Sequence, residues 1–285
     1  MAIAKPQEFL TVITACKSIS DVVAKCKAEQ EYLNREYATI ASLKNGFTAY
    51  RNYLKANISK NKKLSRKPLL ETILNELRLT PEQQASFNQV KHIDIKANKS
   101  NLREIYNINA YLKVASGLLD SKSYLDNILG LCALTGRRVA EIGCTAEFKY
   151  IDKQVLEFAG QLKTKERLDV TPYQIPTLFN AAKLMQALAK IREVKKQFID
   201  EPELFHNATS KDLSTRVKKH FSGLFEGEPK VKDLRAIYAL ICFTEFHKTS
   251  ANKKVDRDVY FSSILGHSKD DITTCGSYVD FFINT

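Results

Sequence analysis

A tyrosine, a histidine and four cationic side chains follow one another in the sequence between residues 138 and 278. In chain order they are Arg138, Lys163, Lys232, Arg235, His267 and Tyr278. A tyrosine hydroxyl, with a free pKa of about 10, attacks poorly unless cations stabilise the phenolate and the charge that develops on a phosphate. An imidazole within reach can move the proton. Together, these residue types indicate transesterification at a phosphate, with Tyr278 as the nucleophile.

Local sequence patterns indicate how the cations are positioned. The run TGRRVAEI follows an apolar segment, so Arg137 and Arg138 are expected at a helix start, where backbone N–H groups attract anions. Lys163 is expected at the tip of a hairpin, with Lys165 close by. Arg235 falls in an amphipathic helix whose apolar face would anchor it. Each residue alone is more typical of a solvated or packed position, and the order of the whole set favours a site.

The overall charge indicates a polyanionic partner. The chain has 44 lysines and arginines against 32 aspartates and glutamates, a net charge of +12. No stretch approaches the roughly 20 apolar residues of a spanning helix, so nucleic acid is expected as the partner rather than a membrane. No signal peptide is evident at the first residues. The six cysteines are scattered without a Cys-x-x-Cys pair, which predicts reduced thiols and neither a zinc site nor a disulfide framework.

A basic window near the start of the chain is the second candidate for phosphate contact. Residues 37–70 contain eight lysines and arginines and no acidic residue. Such runs are often a solvated helix face, but the complete lack of acids favours DNA contact, because bound cations release counterions from the phosphates. The cations predicted to bind DNA here are Lys60, Lys62, Lys63, Arg66 and Lys67.

The apolar pattern predicts a mainly α fold with a small antiparallel β-sheet. Helical periodicity covers residues 1–58 and returns repeatedly, with later helices expected at 211–224, 232–246 and 257–265. From about Phe148 the pattern alternates, and Pro172 and Pro176 flank an extended piece.

The chain is expected to contain two domains. The polar segment 92–101 is the best candidate for a linker. We therefore predict a helical DNA-binding domain over residues 1–95 and a catalytic domain over residues 96–285.

The motifs over residues 130–281 are similar to the catalytic domain of the tyrosine recombinases. The Thr-Gly-x-Arg-x-x-Glu pattern of that superfamily is matched by Thr135, Gly136, Arg138 and Glu141, which identifies Arg138 rather than Arg137 as the first catalytic arginine. Lys232-x-x-Arg235 stands where most integrases have His-x-x-Arg, and Tyr278 follows His267 by eleven residues rather than nine. Both departures most resemble the telomere resolvases, also called protelomerases.

The resemblance implies a role for each residue. Arg138 and Arg235 would clamp the scissile phosphate, and Tyr278 would form a 3′-phosphotyrosine. The proton donor to the leaving 5′ oxygen would be Lys163, with Lys165 as the alternative. Lys232 and His267 would stabilise the transition state or move protons. Arg137 and Lys165 would otherwise contact DNA. The covalent bond conserves the energy of the cut strand, so neither cofactor nor metal is expected.

The implied activity is the resolution of palindromic telomere junctions into hairpin ends. We expect a homodimer on double-stranded DNA, in a cytoplasmic, nucleoid-associated protein of bacterial or phage type. Telomere resolvases are longer than this chain, which leaves integration or excision by a mobile-element recombinase open as the alternative reaction. A catalytically inactive DNA-binding regulator is the other alternative, and the retention of all six catalytic residue types disfavours it.

Overall fold

A computed structural model describes residues 5–58, 64–162, 171–246, 254–266 and 280–284, without the side chains of residues 91, 95 and 98. The described residues are mainly helical with a small antiparallel sheet, which confirms the predicted fold class. The chain separates into two compact units, Met1–Asp94 and Ile95–Thr285, each with its own hydrophobic core.

The first unit is built from helices, of which α2, α3 and α5 begin with a side-chain N-terminal cap. Their bounds are α1 (Pro6–Ala15), α2 (Ile19–Glu36), α3 (Ile40–Asn57), α4 (Lys67–Glu76) and α5 (Pro81–Ser100). A capping box between Ser18 and Asp21 begins α2, and a second one between Thr80 and Gln83 begins α5. The core includes Tyr50, whose hydroxyl donates to Glu29 Oε1 at 2.5 Å. Local capping therefore fixes where α2, α3 and α5 start, whereas α1 and α4 have a proline in the first turn.

The predicted linker has a different structure from the one expected. Residues 92–101 are polar, but all except Asn101 belong to α5, which runs through the division between the two units. Between Pro81 and Ser100 the sequence has no glycine and no further proline. Polar residues alone do not end a helix that is well capped at its start.

The second unit surrounds a fully buried central helix. Its helices are α6 (Ile108–Gly117), α7 (Tyr124–Thr135), α8 (Ala181–Val194), α9 (Pro202–Phe221), α10 (Val231–Glu245) and α11 (Arg257–Leu265). Every residue of α7 from Leu125 to Thr135 is buried. The prediction for 257–265 is confirmed, whereas α9 begins before residue 211, with Pro202 in its first turn and Phe205 and Thr209 on its buried face.

The sheet has the predicted antiparallel arrangement. Strands β2 (Glu147–Asp152), β3 (Val155–Ala159) and β4 (Tyr173–Pro176) pair in that order, and Leu156, Phe158 and Ile175 are buried. The extended piece between the two prolines is β4. From this sheet, the ring of Phe158 and the hydroxyl of Tyr173 contact Arg137.

A second, unexpected strand pair fixes the C-terminal end of the described chain. Strand β1 (Arg103–Ile105) pairs in parallel with β5 (Phe281–Ile283), with Arg103 opposite Phe281. The N–H of Arg103 donates to the carbonyl of Asp280 at 2.9 Å. In the sequence, β5 follows the 267–279 segment, which includes His267 and Tyr278 and lies outside the described residues.

Gly136 ends α7 in a conformation that only glycine adopts without strain. Its φ is +68°, and its N–H donates to the carbonyl of Cys132. A Cβ atom there would lie 2.1 Å from Cδ1 of the buried Tyr238 ring. The glycine therefore lets the chain turn directly from the buried helix into the Arg137–Arg138 pair.

We predict that Gly136→Ala lowers the free energy of unfolding by about 2–5 kcal/mol, because left-handed backbone strain adds to the clash with Tyr238. Urea denaturation measures the change. The matched control is Gly117→Ala at the end of α6, where an added Cβ meets no atom within 4 Å. That variant should be neutral or slightly more stable. Equal stability of the two variants would contradict the assigned role of Gly136.

Candidate active site

A buried ion pair links the arginine and the glutamate of the Thr-Gly-x-Arg-x-x-Glu motif. Glu141 opens the π-helical turn Glu141–Thr145 and is fully buried. Its Oε2 accepts from the Arg138 N–H at 2.8 Å, and its Oε1 accepts from Arg138 Nη1 at 2.6 Å. The N–H of Leu162, just beyond β3, donates to the same Oε1 at 3.2 Å. The motif spacing therefore produces an i,i+3 pair that fixes the plane of the Arg138 guanidinium.

Arg235 approaches the same place from α10. It is 4% exposed, its Nη1 donates to the carbonyl of Gly136, and its Nη2 donates to the carbonyl of Leu265 at 2.7 Å. The first carbonyl lies two residues before Arg138, and the second belongs to the last residue of α11. Arg235 thus lies between the ends of two helices, and the two arginines of the predicted clamp meet in one region of the fold.

Arg137 has a different environment from its neighbour. It is 1% exposed, and its Nη1, Nη2 and Nε donate to the Tyr173 hydroxyl, to the Ile264 carbonyl at 2.6 Å and to the Thr135 carbonyl at 3.1 Å. Its guanidinium carbon lies 4.8 Å from the centre of the Phe158 ring. These contacts all lie within the second unit, and the DNA contact expected of Arg137 stays a prediction.

The charges of three arginines act on the Glu141 carboxylate and shift its pKa. Burial alone would raise the pKa of Glu141, but the positive charges of Arg235, Arg137 and Arg138 outweigh it, and the pKa is lowered. Glu141 therefore remains ionised at neutral pH. One carboxylate among three guanidinium groups leaves an excess of positive charge, as a phosphate site requires.

Three successive carbonyls at the end of α11 each accept a hydrogen bond from a different side chain. Arg137 binds the carbonyl of Ile264, Arg235 that of Leu265, and Gln161 Nε2 that of Gly266. Gly266 has a φ of +70° and closes the helix. In the sequence, His267 follows immediately. These hydrogen bonds therefore fix the position of Gly266, the residue directly before His267.

Lys232 lies at the start of α10, in the same first turns as Arg235. Its side chain is 64% exposed, and its Nζ is 3.7 Å from Oδ2 of Asp280. Burial raises the pKa of Asp280, although the charge of Lys232 opposes the rise. The exposed ammonium is available to a ligand, and Asp280 lies two residues after Tyr278 in the sequence.

Arg192 and Gln161, which sequence analysis did not single out, hydrogen-bond to the main chain next to the site. Arg192 of α8 donates through Nη1 to the carbonyl of Ile142 at 2.7 Å, and through Nη2 to those of Glu141 at 3.3 Å and Ala146 at 3.1 Å. It therefore closes the π-helical turn that carries Glu141. Gln161 does the same for the end of α11. A polar residue within a helix or after a strand has no signature in the sequence that marks such a contact.

The structure describes only part of the predicted set. It brings Arg138 and Arg235 together and places Lys232 one turn before Arg235 on α10. Arg66 and Lys67 are exposed at the start of α4. The remaining predicted residues lie outside the described residues: Lys60, Lys62, Lys63, Lys163, Lys165, His267 and Tyr278.

Two other kinds of site are absent from the part of the chain that the structure describes. Among them, no three His, Cys, Asp or Glu side chains are grouped in a way that could hold a metal ion. In the same part of the chain, no helix has the length and apolarity needed to cross a membrane.

Comparison with known families decides the relationship. The family model for the telomere resolvase ResT/TelK catalytic domain matches residues 101–281, more than half of the chain. This chain belongs to that family. The family expected from the motifs is confirmed, and the matched range begins just before β1 and ends within β5.

Individual relatives agree with the family match. The protelomerase of Yersinia phage PY54 is 30% identical over 164 residues, which cover 53% of this chain and 26% of that protein. The protelomerase of Escherichia phage N15 is 26% identical over 231 residues, covering 73% of this chain and 36% of that protein. The chain thus spans about a third or less of the length of these phage proteins.

Solved structures share the fold over nearly the whole chain. The selenomethionine form of protelomerase TelA, covalently complexed with substrate DNA, has a TM-score of 0.84 and 25% identity, with 98% of this chain and 87% of that chain covered. Protelomerase TelK complexed with substrate DNA has a TM-score of 0.65 and 21% identity, covering 98% and 63% of the two chains. The tyrosine-recombinase-like fold is confirmed.

We predict that Glu141→Gln lowers the free energy of unfolding by about 3–5 kcal/mol at pH 7, because the buried Arg137 and Arg235 and the partly exposed Arg138 lose their counter-charge. The folded pKa of Glu141 lies below its ordinary value of 4.5, so its contribution is complete above that pH and is lost as the pH falls through the folded value. The difference between wild type and variant should therefore shrink below pH 4.5. Urea denaturation at pH 7 and pH 4 measures it.

The control for this prediction is Glu147→Gln on β2, an exposed glutamate of the same region. Its effect should stay within about 0.5 kcal/mol at both pH values. A Glu141→Gln variant as stable as wild type at pH 7 would show that the carboxylate does not hold the three arginines.

Proposed function

We propose that this chain is a DNA strand transferase that resolves telomere junctions into hairpin ends through a 3′-phosphotyrosine at Tyr278. The observation that carries the proposal is the convergence of Arg138 and Arg235 on the buried Glu141 and the Gly136 carbonyl, in a domain whose family match extends over residues 101–281. A phosphodiester clamp needs two guanidinium groups with fixed planes, and this arrangement supplies them.

The roles of the two arginines differ in exposure. The Arg138 side chain is 21% exposed while its ion pair with Glu141 holds its orientation. It is therefore the arginine that meets the phosphate from the solvent side. Arg235 is held more deeply by the two helix-end carbonyls. Groups held in this way need no reorganisation when charge develops on the phosphate, which is the main electrostatic source of catalysis.

The proposed reaction has two balanced steps. In the first, the Tyr278 oxygen forms a bond to phosphorus, its proton passes to a base such as His267, and the bond to the 5′ oxygen breaks. Lys163 or Lys165 protonates that leaving oxygen. In the second step, the 5′ hydroxyl of the opposite strand forms a bond to phosphorus and gives its proton back to the lysine, the bond to the Tyr278 oxygen breaks, and the base returns its proton to that oxygen. Joining two strands of one duplex end in this way closes a hairpin without any nucleotide cofactor.

The substrate is double-stranded DNA on two grounds. Relatives of 25% and 21% identity carry this fold in complexes with substrate DNA, one of them covalent. The chain itself has a net charge of +12. A protein that acts on bacterial or phage DNA works at the nucleoid, and this is the location we propose.

The first unit adds a sequence-independent contribution to DNA binding. Residues 1–95 contain 15 lysines and arginines against 9 aspartates and glutamates. Arg66 is the N-cap residue of α4 and Lys67 its first residue, and both are exposed. Two adjacent exposed cations can contact neighbouring phosphates and release their counterions. We therefore propose that Arg66 and Lys67 bind the DNA backbone.

We further propose that two protomers act on one palindromic site. Cleavage of both strands needs two nucleophiles, and the two-fold symmetry of a palindrome matches the symmetry of a dimer. The runner-up function is integration or excision by a mobile-element recombinase, which would give recombined duplexes and no hairpins. A DNA-binding regulator without activity would give neither product.

We predict that Tyr278→Phe abolishes covalent protein–DNA adducts and hairpin product while DNA affinity is kept, because only the nucleophilic hydroxyl is lost. The probe is a palindromic duplex from the DNA beside the gene that encodes the chain. Denaturing gels show adducts and hairpins. With the wild-type protein, the mass of the trapped complex should correspond to two protomers for each duplex.

We predict that Arg138→Ala slows adduct formation at least about 10²-fold, the effect of losing one charged transition-state donor. The same gels, run over a time course, measure the rate.

The matched control is Tyr260→Phe. Tyr260 is buried, and its hydroxyl donates to the carbonyl of Cys242 at 3.3 Å, so this variant should still form adducts. Adducts with Tyr278→Phe would show that the nucleophile lies elsewhere. Recombined duplexes in place of hairpins would favour the integrase alternative.

We predict that the double variant Arg66→Gln/Lys67→Gln flattens the salt dependence of DNA binding by about two phosphate contacts, that is by about 1.8 in the slope of log K against log salt. The wild type should lose about 10³-fold or more in affinity between 50 and 200 mM salt if it makes six or more phosphate contacts. Fluorescence anisotropy over a salt series measures both values.

The matched control is Lys25→Gln/Lys27→Gln on α2, which removes the same charge from two exposed positions. Its slope should equal that of the wild type. Equal slopes for the two double variants would mean that net charge, and no contact by Arg66 or Lys67, governs binding.

A further inference from the structure

We propose that Arg103 is a positioning residue for the strand-transfer reaction, holding strand β5 and the start of α10 in one fixed arrangement. The inference rests on the proposed function, because it concerns the distance between the cations of α10 and the strand that follows Tyr278 in the sequence. Arg103 belongs to none of the motifs found in the sequence. Its role follows from contacts between parts of the chain that are far apart in sequence.

The first set of contacts reaches the N-terminus of α10. Arg103 Nη1 donates to Oδ2 of Asp233 at 3.0 Å, and the same oxygen accepts from the N–H of Lys230 at 2.9 Å in the capping box of α10. The Asp233 side chain is buried, and no described residue donates to its Oδ1. Arg103 and the N–H of Lys230 thus share one oxygen of the Asp233 carboxylate, and Arg103 thereby fixes the start of the helix that carries Lys232 and Arg235.

The second set of contacts reaches β5 and the residue directly before it. The backbone N–H of Arg103 donates to the carbonyl of Asp280, and β1 pairs with β5 from Arg103 onward. The guanidinium carbon lies 4.6 Å from the ring centre of Phe281 and 5.2 Å from that of Phe225. These two rings are buried and meet edge to face at 5.4 Å. The charge is thus held against two aromatic rings.

The third set of contacts fixes the guanidinium itself. Arg103 Nε donates to the carbonyl of Glu226 at 2.7 Å, and Nη2 donates to that of Glu228 at 3.4 Å. Five donors in a rigid fork can satisfy a carboxylate and two carbonyls together, whereas a lysine ammonium cannot span them.

Arg103 thus connects β5 to the start of α10 through few intervening contacts. Asp280, which Arg103 binds through its backbone, lies 3.7 Å from Lys232 through its carboxylate. Asp233, which Arg103 binds through its side chain, follows Lys232 directly in α10. Covalent geometry allows at most about 7.6 Å between the Cα atoms of residues 278 and 280, two Cα steps apart. A shift of β5 relative to α10 would therefore be passed to the nucleophile.

A purely structural role for Arg103 makes different predictions from a positioning role. If Arg103 only stabilises the fold, its variants should lower the melting temperature and leave the reaction of the folded protein unchanged. If it positions the nucleophile, the rate of the chemical step should fall while DNA affinity is kept. A misplacement of about 1 Å can cost about 10²-fold in rate, so the rate is the sensitive measurement.

The test compares Arg103→Lys and Arg103→Met with Arg216→Lys and Arg216→Met. Arg216 is the matched control because its Nη1 donates to Oδ1 of Asp126 at 2.8 Å, in another pairing of a partly exposed arginine with a buried aspartate. Adduct formation is followed in single-turnover experiments on a nicked palindromic duplex from the DNA beside the gene, at saturating protein and well below the melting temperature of each variant. DNA affinity and melting temperature are measured in parallel.

We expect the Arg103 variants to form adducts about 10- to 100-fold more slowly with DNA affinity within about threefold of the wild type. The Arg216 variants should lose comparable thermal stability and react within about twofold of the wild-type rate. Wild-type rates for folded Arg103 variants would overturn the inference, as would an equal loss of rate for both arginines. Should Arg103→Met fail to fold, Arg103→Lys, which keeps the charge, decides the question alone. Absence of adducts with the wild type would instead refute the proposed function.

Discussion

The buried carboxylate of Glu141 is the group on which the catalytic unit depends. A charge shielded from solvent is tolerated only when it is paired and hydrogen-bonded. The Glu141 carboxylate accepts two hydrogen bonds from Arg138 and one from the Leu162 N–H, and the positive charges of Arg235 and Arg137 also stabilise it. The converse also holds, because the positive charges of Arg137, Arg138 and Arg235 repel one another and Glu141 supplies the carboxylate that offsets them. A spacing of three residues between arginine and glutamate places both on one turn, which gives the sequence motif its physical basis.

The same guanidinium groups also join the helices to one another. Arg137 and Arg235 donate to carbonyls at the ends of α7 and α11, where four carbonyls of each helix lack an intrahelical partner. Cations at helix C-termini are stabilised by the helix dipole as well as by these bonds. Stability of the fold and placement of the site therefore have one origin. The adjacent arginines divide the work, with Arg137 inside and Arg138 reaching the surface.

Sequence patterns predicted what depends on local periodicity and short motifs. The helix at 257–265 and the antiparallel sheet arise from neighbouring residues, and the structure contains both. They could not separate Arg137 from Arg138 by environment, since burial is decided by Phe158, Tyr173 and Ile264 from other elements. The β1–β5 pair was missed because three-residue strands show no measurable alternation and join opposite ends of the unit. Gln161, Arg192 and Arg103 were missed because their hydrogen-bond partners are far away in the sequence.

The residues missed from sequence share one feature that explains the architecture of the site. Each of them donates to main-chain carbonyls beside a segment that carries a predicted catalytic residue: Arg192 at the Glu141 turn, Gln161 at Gly266 before His267, and Arg103 near the start of α10. Carbonyl contacts fix backbone position independently of the side chain that the backbone presents. The proposed strand transfer, which cleaves one phosphodiester and joins another, would need the same groups placed correctly twice. Anchoring of the backbone by the partly buried Arg103, Gln161 and Arg192 would keep those groups in place through both steps.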